Sequence, residues 1–537
     1  MSLLTVKDCR VASIQRNMVP LHSLKGNPPT MPLSTFLLAQ KEGLSLTYLL
    51  ILLVLAVFVL LFFILKLRMQ AFLALILASL FVAIGSSKEL TGGAGTLELA
   101  NIGSQIQSGM GSSLGFIATI IGLGAIFGSL LEHSGGAQSL AKSLLRIFGE
   151  KRASWAMVLT GFIISIPVFL DVALVIIAPI LYALSRKTGK SVLAFGLPLL
   201  AGLMVTHAFV PPTPGPVWVA YELGVGLGWV ILFGCIVGFP TAIIGGILVP
   251  KRMAEKLYIA PPEESEETAE EDESKLPSLT SVLVLIGLPI MLILIGTIVK
   301  ENVAKDIQRS AIVDSLDPEQ QANPKARKSA YETAVNKQIS ESNVGVKTLL
   351  FLGHPIIALL LATVGALIYL GYGRGYDKSV LMDVTTKSLG PAGIIILITG
   401  AGGVFKGIMG ASGVSEALSI ACQNWGIHVL VLAYLFAVFV RVAQGSATVA
   451  MVTAGGLMSS VASDLSQPQL ALVVVAIAAG ASAVSHVNDS GFWMVSRYML
   501  MTEKQTFQTW TVISTVVSVV GFLLALALWY ALPSLGW

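Results

Sequence analysis

Apolar segments of about twenty residues recur along most of the chain. A helix of twenty residues covers the hydrocarbon thickness of a bilayer and bonds its own backbone N–H and C=O groups there. Only 12% of the residues are charged and 55% are hydrophobic. The sequence therefore predicts an all-α polytopic membrane protein, with ten spans placed near 46–66, 70–86, 113–131, 192–224, 228–249, 279–299, 348–372, 389–409, 469–499 and 508–531.

Charge and cysteine content narrow the functional classes. The formal net charge is only +4 and basic residues sit in short loops between apolar runs, so no nucleic-acid surface is expected. Cys9, Cys235 and Cys422 form no CxxC pair, and neither a metal nor another cofactor is implied. An integral-membrane enzyme stays an alternative, although no GxSxG or HExxH spacing occurs.

Two further apolar stretches, 154–184 and 428–461, do not fit simple crossings. The first is too short to cross twice and has basic residues on both sides, which the positive-inside rule places in the cytoplasm. We therefore interpret both stretches as re-entrant hairpins. The basic residues that flank the first stretch are Lys142, Arg146, Lys151, Arg152, Arg186, Lys187 and Lys190.

The same rule gives a domain plan with both termini outside. Residues 1–45 form an N-terminal tail, 46–250 a first transmembrane repeat, and 251–278 an acidic cytoplasmic linker that contains PPEESEETAEEDESK. Residues 279–537 form a second transmembrane repeat with an external insert at 300–347.

The two repeats are visible in the sequence. GAIFGSLLEHSGGAQSL at 124–140 aligns without gaps on GGVFKGIMGASGVSEAL at 402–418, an offset of 278 residues with five identities. VTH and VSH align at an offset of 279, and the two hairpins align at 277. The aligned spans cross in opposite directions, which predicts an inverted-repeat secondary transporter. VTHAFVPPTPGP at 205–216 and VSHVNDSGFW at 484–493 would be its two broken helices.

The second hairpin contains the stretch QGSATVA. Gly445 permits a tight turn, and Ser446 and Thr448 supply hydroxyls that suit a polyhydroxylated anion. A hairpin tip of small residues also has a simpler explanation, namely close packing.

The stretch VSHVNDSGFW places polar residues inside an apolar span. Unpaired polar groups are costly in hydrocarbon, so they persist when buried in protein, paired or facing a water-filled site. Asn488, Asp489 and Ser490 are therefore candidate contacts for substrate or an ion. The alternative is that one of them caps the helix that begins at GFWMVSRY.

Each hairpin contains one charged residue, Asp171 in the first and Arg441 in the second. We expect Asp171 to be buried, where a carboxylate favours its protonated form and suits proton coupling, or else to have a structural partner. Arg441 would bind the substrate carboxylate or neutralise an internal acid. His207 and His486 occupy equivalent repeat positions and would carry protons or brace a broken helix.

At these motifs the chain resembles the gluconate:proton symporter family of bacterial permeases, a branch of the ion transporter superfamily. The resemblance rests on LGFIATIIGLGAIFG, VTHAFVPPTPGP, RVAQGSATVAMVTAGG and SHVNDSGFW, in that order. It implies proton-coupled uptake of gluconate or a related sugar acid, an inner-membrane location and a scaffold that is commonly a homodimer. Its partners would be a small organic anion, protons and the lipid bilayer.

The chain departs from the family pattern at two positions. Thr213 stands in PPTPGP where the family usually has His, and Asp171 stands where the hairpin usually has Glu. Both residues are candidates for the substrate or coupling site. Sodium-coupled carboxylate uptake on the same fold remains an alternative, and the motifs do not rank gluconate against other hydroxy acids or D-amino acids.

Overall fold

The computed structural model describes residues 44–262, 275–305, 307, 309–322, 324–462 and 465–535. The predicted N-terminal tail and most of the acidic linker lie outside these residues. Helices make up most of this part of the chain, and it contains no β-strand.

The first half contains ten α-helices, and their bounds follow the apolar pattern. They are α1 (Leu46–Leu61), α2 (Ala71–Gly85), α3 (Ile102–His133), α4 (Gly136–Phe148), α5 (Ala153–Ile164), α6 (Leu170–Thr188), α7 (Leu193–Phe209), α8 (Pro214–Leu223), α9 (Leu227–Ile243) and α10 (Val249–Lys256).

The described part of the second half contains fourteen α-helices, and several of them lie in the predicted insert. Its described helices are α11 (Leu279–Ala304), α12 (Arg309–Asp314), α13 (Pro318–Ala322), α14 (Pro324–Glu341), α15 (Val344–Leu352), α16 (Pro355–Ala366), α17 (Lys378–Ala411), α18 (Val414–Trp425), α19 (Val429–Gln444), α20 (Ala447–Val461), α21 (Gln467–Ala481), α22 (Ser490–Tyr498), α23 (Glu503–Thr506) and α24 (Val512–Ala531).

Eight helical segments among the described residues are long and apolar enough to cross a membrane. They correspond to eight of the ten predicted spans. The other two predicted spans, 70–86 and 469–499, contain apolar helices of 15 residues each, α2 and α21. The predicted spans 113–131 and 389–409 are only the apolar centres of α3 and α17, which have 32 and 34 residues.

Both predicted helix interruptions are present. α7 ends at Phe209 and α8 restarts at Pro214, because prolines in the PPTPGP stretch remove backbone donors that a continuous helix needs. α21 ends at Ala481 and α22 restarts at Ser490. The two hairpin stretches also break in the middle, at 165–169 between α5 and α6 and at Gly445 and Ser446 between α19 and α20.

Helix packing divides these elements into two groups. α3 and α17 pack along each other, with α2 against α17 and α16 against α3; we call α3 and α17 the scaffold helices. The hairpins and broken helices, α5–α8 and α19–α22, are called the hairpin unit. Within it α5 packs on α7 and α19 on α21, while α20 packs on α8 and α6 on α22, so each half contributes to the other. Every residue from Leu470 to Ala481 in α21 is buried.

Close approach fixes how the first hairpin meets the scaffold. A Cβ at Gly128 of α3 would lie 2.3 Å from the carbonyl oxygen of Pro167 in the turn of the first hairpin. Only glycine therefore allows this backbone contact.

Replacing Gly128 with alanine is expected to lower the initial rate of substrate uptake at least about tenfold, because the rigid turn must move away from α3. Gly124→Ala is the matched control on the same helix, since a Cβ there has no neighbour within 4 Å. Alanine also favours a helix over glycine by about 1 kcal/mol. Equal uptake rates in the two variants, normalised to protein in the membrane, would contradict the assignment of this contact.

Candidate functional site

Arg441 and Asp489 form a buried ion pair between the second hairpin and the second helix interruption. The Arg441 Nη2 and Asp489 Oδ2 atoms are 2.5 Å apart, and the two side chains are 3% and 13% exposed. Arg441 Nε also donates to the carbonyl oxygen of Ala483 at 3.3 Å. Of the two predicted roles for Arg441, this geometry favours neutralising an internal acid.

The Asp489 carboxylate has further partners. Its Oδ1 accepts the backbone N–H of Gly491 at 2.9 Å, so Asp489 caps the N-terminus of α22. Its Oδ2 accepts the hydroxyl of Ser485. The predicted capping alternative therefore describes Asp489.

Ser485 is a buried polar residue of the VSHVNDSGFW stretch that was not among the predicted site residues. Its Oγ accepts from Trp510 Nε1 at 2.8 Å, and its backbone N–H donates to Ser514 Oγ at 3.0 Å. Thr511 Oγ1 donates to its carbonyl oxygen at 2.5 Å. Side chains around the start of α24 thus fix the non-helical backbone of the second interruption, as broken membrane helices require.

His486 uses both ring nitrogens within the same interruption. Nδ1 accepts the backbone N–H of Asn488 at 3.2 Å, so Nε2 carries the hydrogen and donates to the carbonyl oxygen of Val442 at 2.9 Å. This arrangement favours the bracing role over the proton-coupling role for His486.

The turn of the second hairpin lies against the second interruption. Gly445 has a left-handed φ of +89°, and a Cβ there would lie 2.2 Å from the carbonyl oxygen of Asn488. The predicted tight turn is therefore present, and it positions the polar tip residues beside Asn488.

Several polar groups around this turn remain available to a ligand. Ser446 and Thr448 are partly buried, and Asn488 and Ser490 are exposed. Ser446 Oγ accepts one backbone N–H, from Val449 at 3.4 Å. Gln444, which sequence reasoning missed, is 9% exposed, and its buried Oε1 atom has no hydrogen-bond partner.

The first half forms a second group of candidates. The His207 ring packs edge-on against Phe169, with the ring centroids 6.0 Å apart, so the end of α7 meets the start of α6. The buried His207 Nδ1 atom has no hydrogen-bond partner. Asp171 interacts electrostatically with His207 and with Glu132 of α3.

The expectation that Asp171 is buried is wrong, because its side chain is exposed. It lies in the first turn of α6, directly after the hairpin turn, where it projects away from the packed core. Its predicted role in proton coupling stays a prediction.

Thr213 is buried in the first interruption. Its hydroxyl donates to the carbonyl oxygen of Val210 at 2.7 Å. Two residues later, a Cβ at Gly215 would lie 2.5 Å from Met451 Sδ, so the start of α8 abuts the second hairpin. Thr213 thus stabilises the local turn, and both lone pairs of its oxygen remain to accept hydrogen bonds from a ligand.

The candidates form two groups, each made of one hairpin turn and one helix interruption. No hydrogen bond between the described residues of the two groups joins them. In both groups a helix begins at the turn or interruption, namely α6, α8, α20 and α22. The positive ends of these helix dipoles favour an anion, although the Gly491 N–H of α22 already donates to the Asp489 carboxylate.

Sequence reasoning also missed an ion pair between the buried Glu222 and the partly exposed Lys406, whose Oε2 and Nζ atoms are 2.5 Å apart. Both residues lie inside predicted spans, at 192–224 and 389–409. An ionisable residue within an apolar span is itself a signal of function or pairing, and that signal was present in the sequence.

Comparison with known proteins places the chain in a family. The family description "GntP family permease" matches residues 48–318 and 329–531. The gluconate permease of Pseudomonas aeruginosa is 35% identical over 465 residues, which cover 86% of this chain and 93% of that protein. The low-affinity gluconate transporter of Escherichia coli K12 is 33% identical over 87% of this chain and 95% of its own length.

A solved structure shares the fold. The Alcanivorax borkumensis YdaH transporter matches with a TM-score of 0.52 and 14% identity, over 82% of this chain and 91% of that one. At this identity the match concerns the fold alone. The sequence matches confirm the resemblance and the expectation of a permease rather than an enzyme. Helical, multi-pass and matched along both halves, the chain belongs to the GntP permease family.

Proposed function

We propose that the protein imports gluconate or a closely related sugar acid by proton symport across the bacterial inner membrane. The observation that carries this proposal is the start of four helices, α6, α8, α20 and α22, at the two hairpin turns and two interruptions. The positive ends of these helix dipoles can bind the substrate carboxylate in place of a cationic side chain.

The neutral polar groups around the second turn suit the hydroxyls of a sugar acid. Ser446, Thr448, Asn488 and Ser490 supply hydroxyl and amide groups that both donate and accept. Arg441 is already paired with Asp489, so we assign it to holding the turn against the interruption. Gly445 allows the turn to contact the interruption, and we assign it no contact with the substrate.

Proton coupling is assigned to the first group. Asp171 is exposed and interacts electrostatically with His207 of the hairpin unit and with Glu132 of the scaffold helix α3. Sodium would instead be held by backbone carbonyls and hydroxyls, and a measurement of proton entry into sodium-free proteoliposomes separates the two ions.

The membrane assignment rests on the family and on the pattern of basic residues. One relative, 35% identical over 88% of this chain, is named inner membrane permease YgbN in Escherichia coli K12. The positive-inside rule places the loops around Lys151 and Lys187 in the cytoplasm. Assembly as a homodimer stays a prediction that crosslinking in membranes would test.

Uptake of radiolabelled gluconate into proteoliposomes tests the substrate. We expect uptake that unlabelled gluconate abolishes and that an unhydroxylated six-carbon carboxylate does not, because the hydroxyls need the groups around the second turn. A hydroxy-acid and D-amino-acid panel would be run in parallel. Absence of gluconate uptake, with uptake of another panel member, would overturn the substrate while leaving the family unchanged.

Replacing Asp171 with asparagine is expected to reduce gradient-driven accumulation at least about tenfold while gluconate exchange across the membrane continues. Exchange needs binding and movement only, whereas accumulation needs the coupled proton. Asp383→Asn is the control, since Asp383 forms an exposed pair with Lys387 at 2.7 Å. Wild-type accumulation by Asp171→Asn would exclude this residue from coupling.

A further inference from the structure

The Glu222–Lys406 ion pair lies where the hairpin unit meets the scaffold. Lys406 Nζ is 2.5 Å from Glu222 Oε2 and also donates to the Glu222 carbonyl oxygen at 3.1 Å. Ser113 Oγ of α3 donates to Glu222 Oε1 at 3.1 Å. The Glu222 side chain is 1% exposed and that of Lys406 is 36% exposed. One carboxylate of α8 thus joins both scaffold helices.

The Arg441–Asp489 and Glu222–Lys406 ion pairs differ in what they connect. Arg441 and Asp489 both belong to the hairpin unit, so their pair moves as one body with it. Glu222 belongs to α8 of the hairpin unit, whereas Lys406 belongs to the scaffold helix α17. Only the second pair must break if the hairpin unit slides along the scaffold.

A tryptophan reinforces the same boundary. Trp218 lies one turn before Glu222 on α8 and is fully buried. Its Nε1 donates to the Thr399 carbonyl oxygen of α17 at 3.0 Å. A Cβ at Gly402 or at Gly455 would lie 2.8 Å from the indole ring. The ring therefore occupies a pocket where Gly402 of the scaffold helix α17 and Gly455 of the hairpin unit leave room for it.

The first and second hairpins contact the scaffold helices at different points along their lengths. In the repeat alignment Lys406 corresponds to Gly128, which contacts the turn of the first hairpin at Pro167. An equivalent contact would place Lys406 beside Gln444. Instead a Cβ at Gly456 would lie 3.7 Å from Lys406 Cβ, twelve residues further along the second hairpin. The ten residues from Ala447 to Gly456 lie in α20 and span ~15 Å. The contacts at Lys406 therefore depend on the present position of the hairpin unit.

We infer that Glu222 and Lys406 are positioning residues for the translocation step, and that their pair holds the hairpin unit in the present position. The inference deepens the proposed transport function and rests on it. Movement of the unit separates the pair, and re-forming it favours the return. We assign neither residue a contact with the substrate. The pair instead sets the relative populations of the two positions of the hairpin unit.

The effect of this ion pair on translocation can be measured only when both charges are removed together. Removing Lys406 alone leaves the buried Glu222 carboxylate uncompensated, which destabilises the protein for reasons unrelated to translocation. Glu222→Gln with Lys406→Met removes both charges and keeps side chains of similar length. Glu222→Lys with Lys406→Glu reverses the pair and keeps the attraction.

Spin-label distances between the two groups report the position directly. Labels at Ile394 on α17 and Leu435 on α19 are suitable, because these residues are 55% and 56% exposed. Cys9, Cys235 and Cys422 are first replaced by serine. We expect one dominant distance with the native pair, and a second distance whose population rises about five- to tenfold in Glu222→Gln/Lys406→Met, as loss of a charge-assisted bond implies.

The reversed pair should restore the original distribution, and the neutral pair should change the KM and the maximal rate of transport by different factors. Lys88→Gln/Glu98→Gln is the control, since that exposed pair at 2.9 Å lies outside the boundary. An unchanged distribution in the neutral double variant would overturn the inference. So would a shift that the reversed pair does not correct. Because the distances do not depend on which anion is carried, failure of gluconate transport is a separate result.

Discussion

Replacing Arg441 with methionine is expected to abolish transport and to lower the stability of the protein by about 3–5 kcal/mol, the usual cost of breaking a buried pair. The substitution leaves the Asp489 carboxylate, 13% exposed, without its cation. It also removes the hydrogen bond from Nε to the Ala483 carbonyl oxygen. The second interruption would then lose its attachment to the second hairpin.

The stability of purified protein in detergent, followed by thermal unfolding, measures the first effect, and substrate uptake measures the second. Arg497→Met is the matched control, because Arg497 is an exposed arginine on α22. Adding Asp489→Asn to Arg441→Met should recover most of the lost stability, since no charge then remains buried. A stable, active Arg441→Met protein would show that the cation is not needed to hold the interruption.

Replacing Gly445 with alanine is expected to reduce uptake at least about a hundredfold while the protein still inserts and remains folded. Alanine at a φ of +89° costs about 1–2 kcal/mol on conformational grounds alone. Its Cβ would also lie 2.2 Å from the Asn488 carbonyl oxygen, so the turn and the interruption must separate. The polar groups on either side would no longer face one ligand.

Gly426→Ala separates these two causes. Gly426 also has a positive φ, of +62°, but a Cβ there meets nothing within 4 Å. That variant should lose a little stability and keep its uptake rate. Comparable losses of uptake in both variants would mean that backbone strain, and not the contact with Asn488, explains the effect.

The sequence predicts the architecture better than the site. Long apolar runs and the PPTPGP stretch reveal helices and interruptions, because bilayer thickness and proline chemistry act locally along the chain. Asp171 shows the limit of this reasoning. A lone charge in an apolar stretch indicates function, but whether its side chain is exposed depends on which neighbours pack around α6.

Ion pairs between residues that are far apart in the sequence could not be predicted from local sequence patterns. Arg441 and Asp489 are 48 residues apart, and Glu222 and Lys406 are 184 residues apart. Each charge was visible in the sequence, yet the partner follows only from how α19 meets the second interruption and how α8 meets α17. Gln444 adjoins the turn that the sequence did single out, and only its buried, unbonded Oε1 atom distinguishes it.

Proton movement evoked by the substrate tests the central proposal most directly. Proteoliposomes would contain a trapped pH indicator, with no sodium present and with the membrane potential clamped at zero. Addition of external gluconate is predicted to acidify the lumen, at a rate that follows gluconate entry and is lost in Asp171→Asn. Gluconate entry without luminal acidification, restored or accelerated by sodium, would contradict proton symport and establish sodium coupling instead.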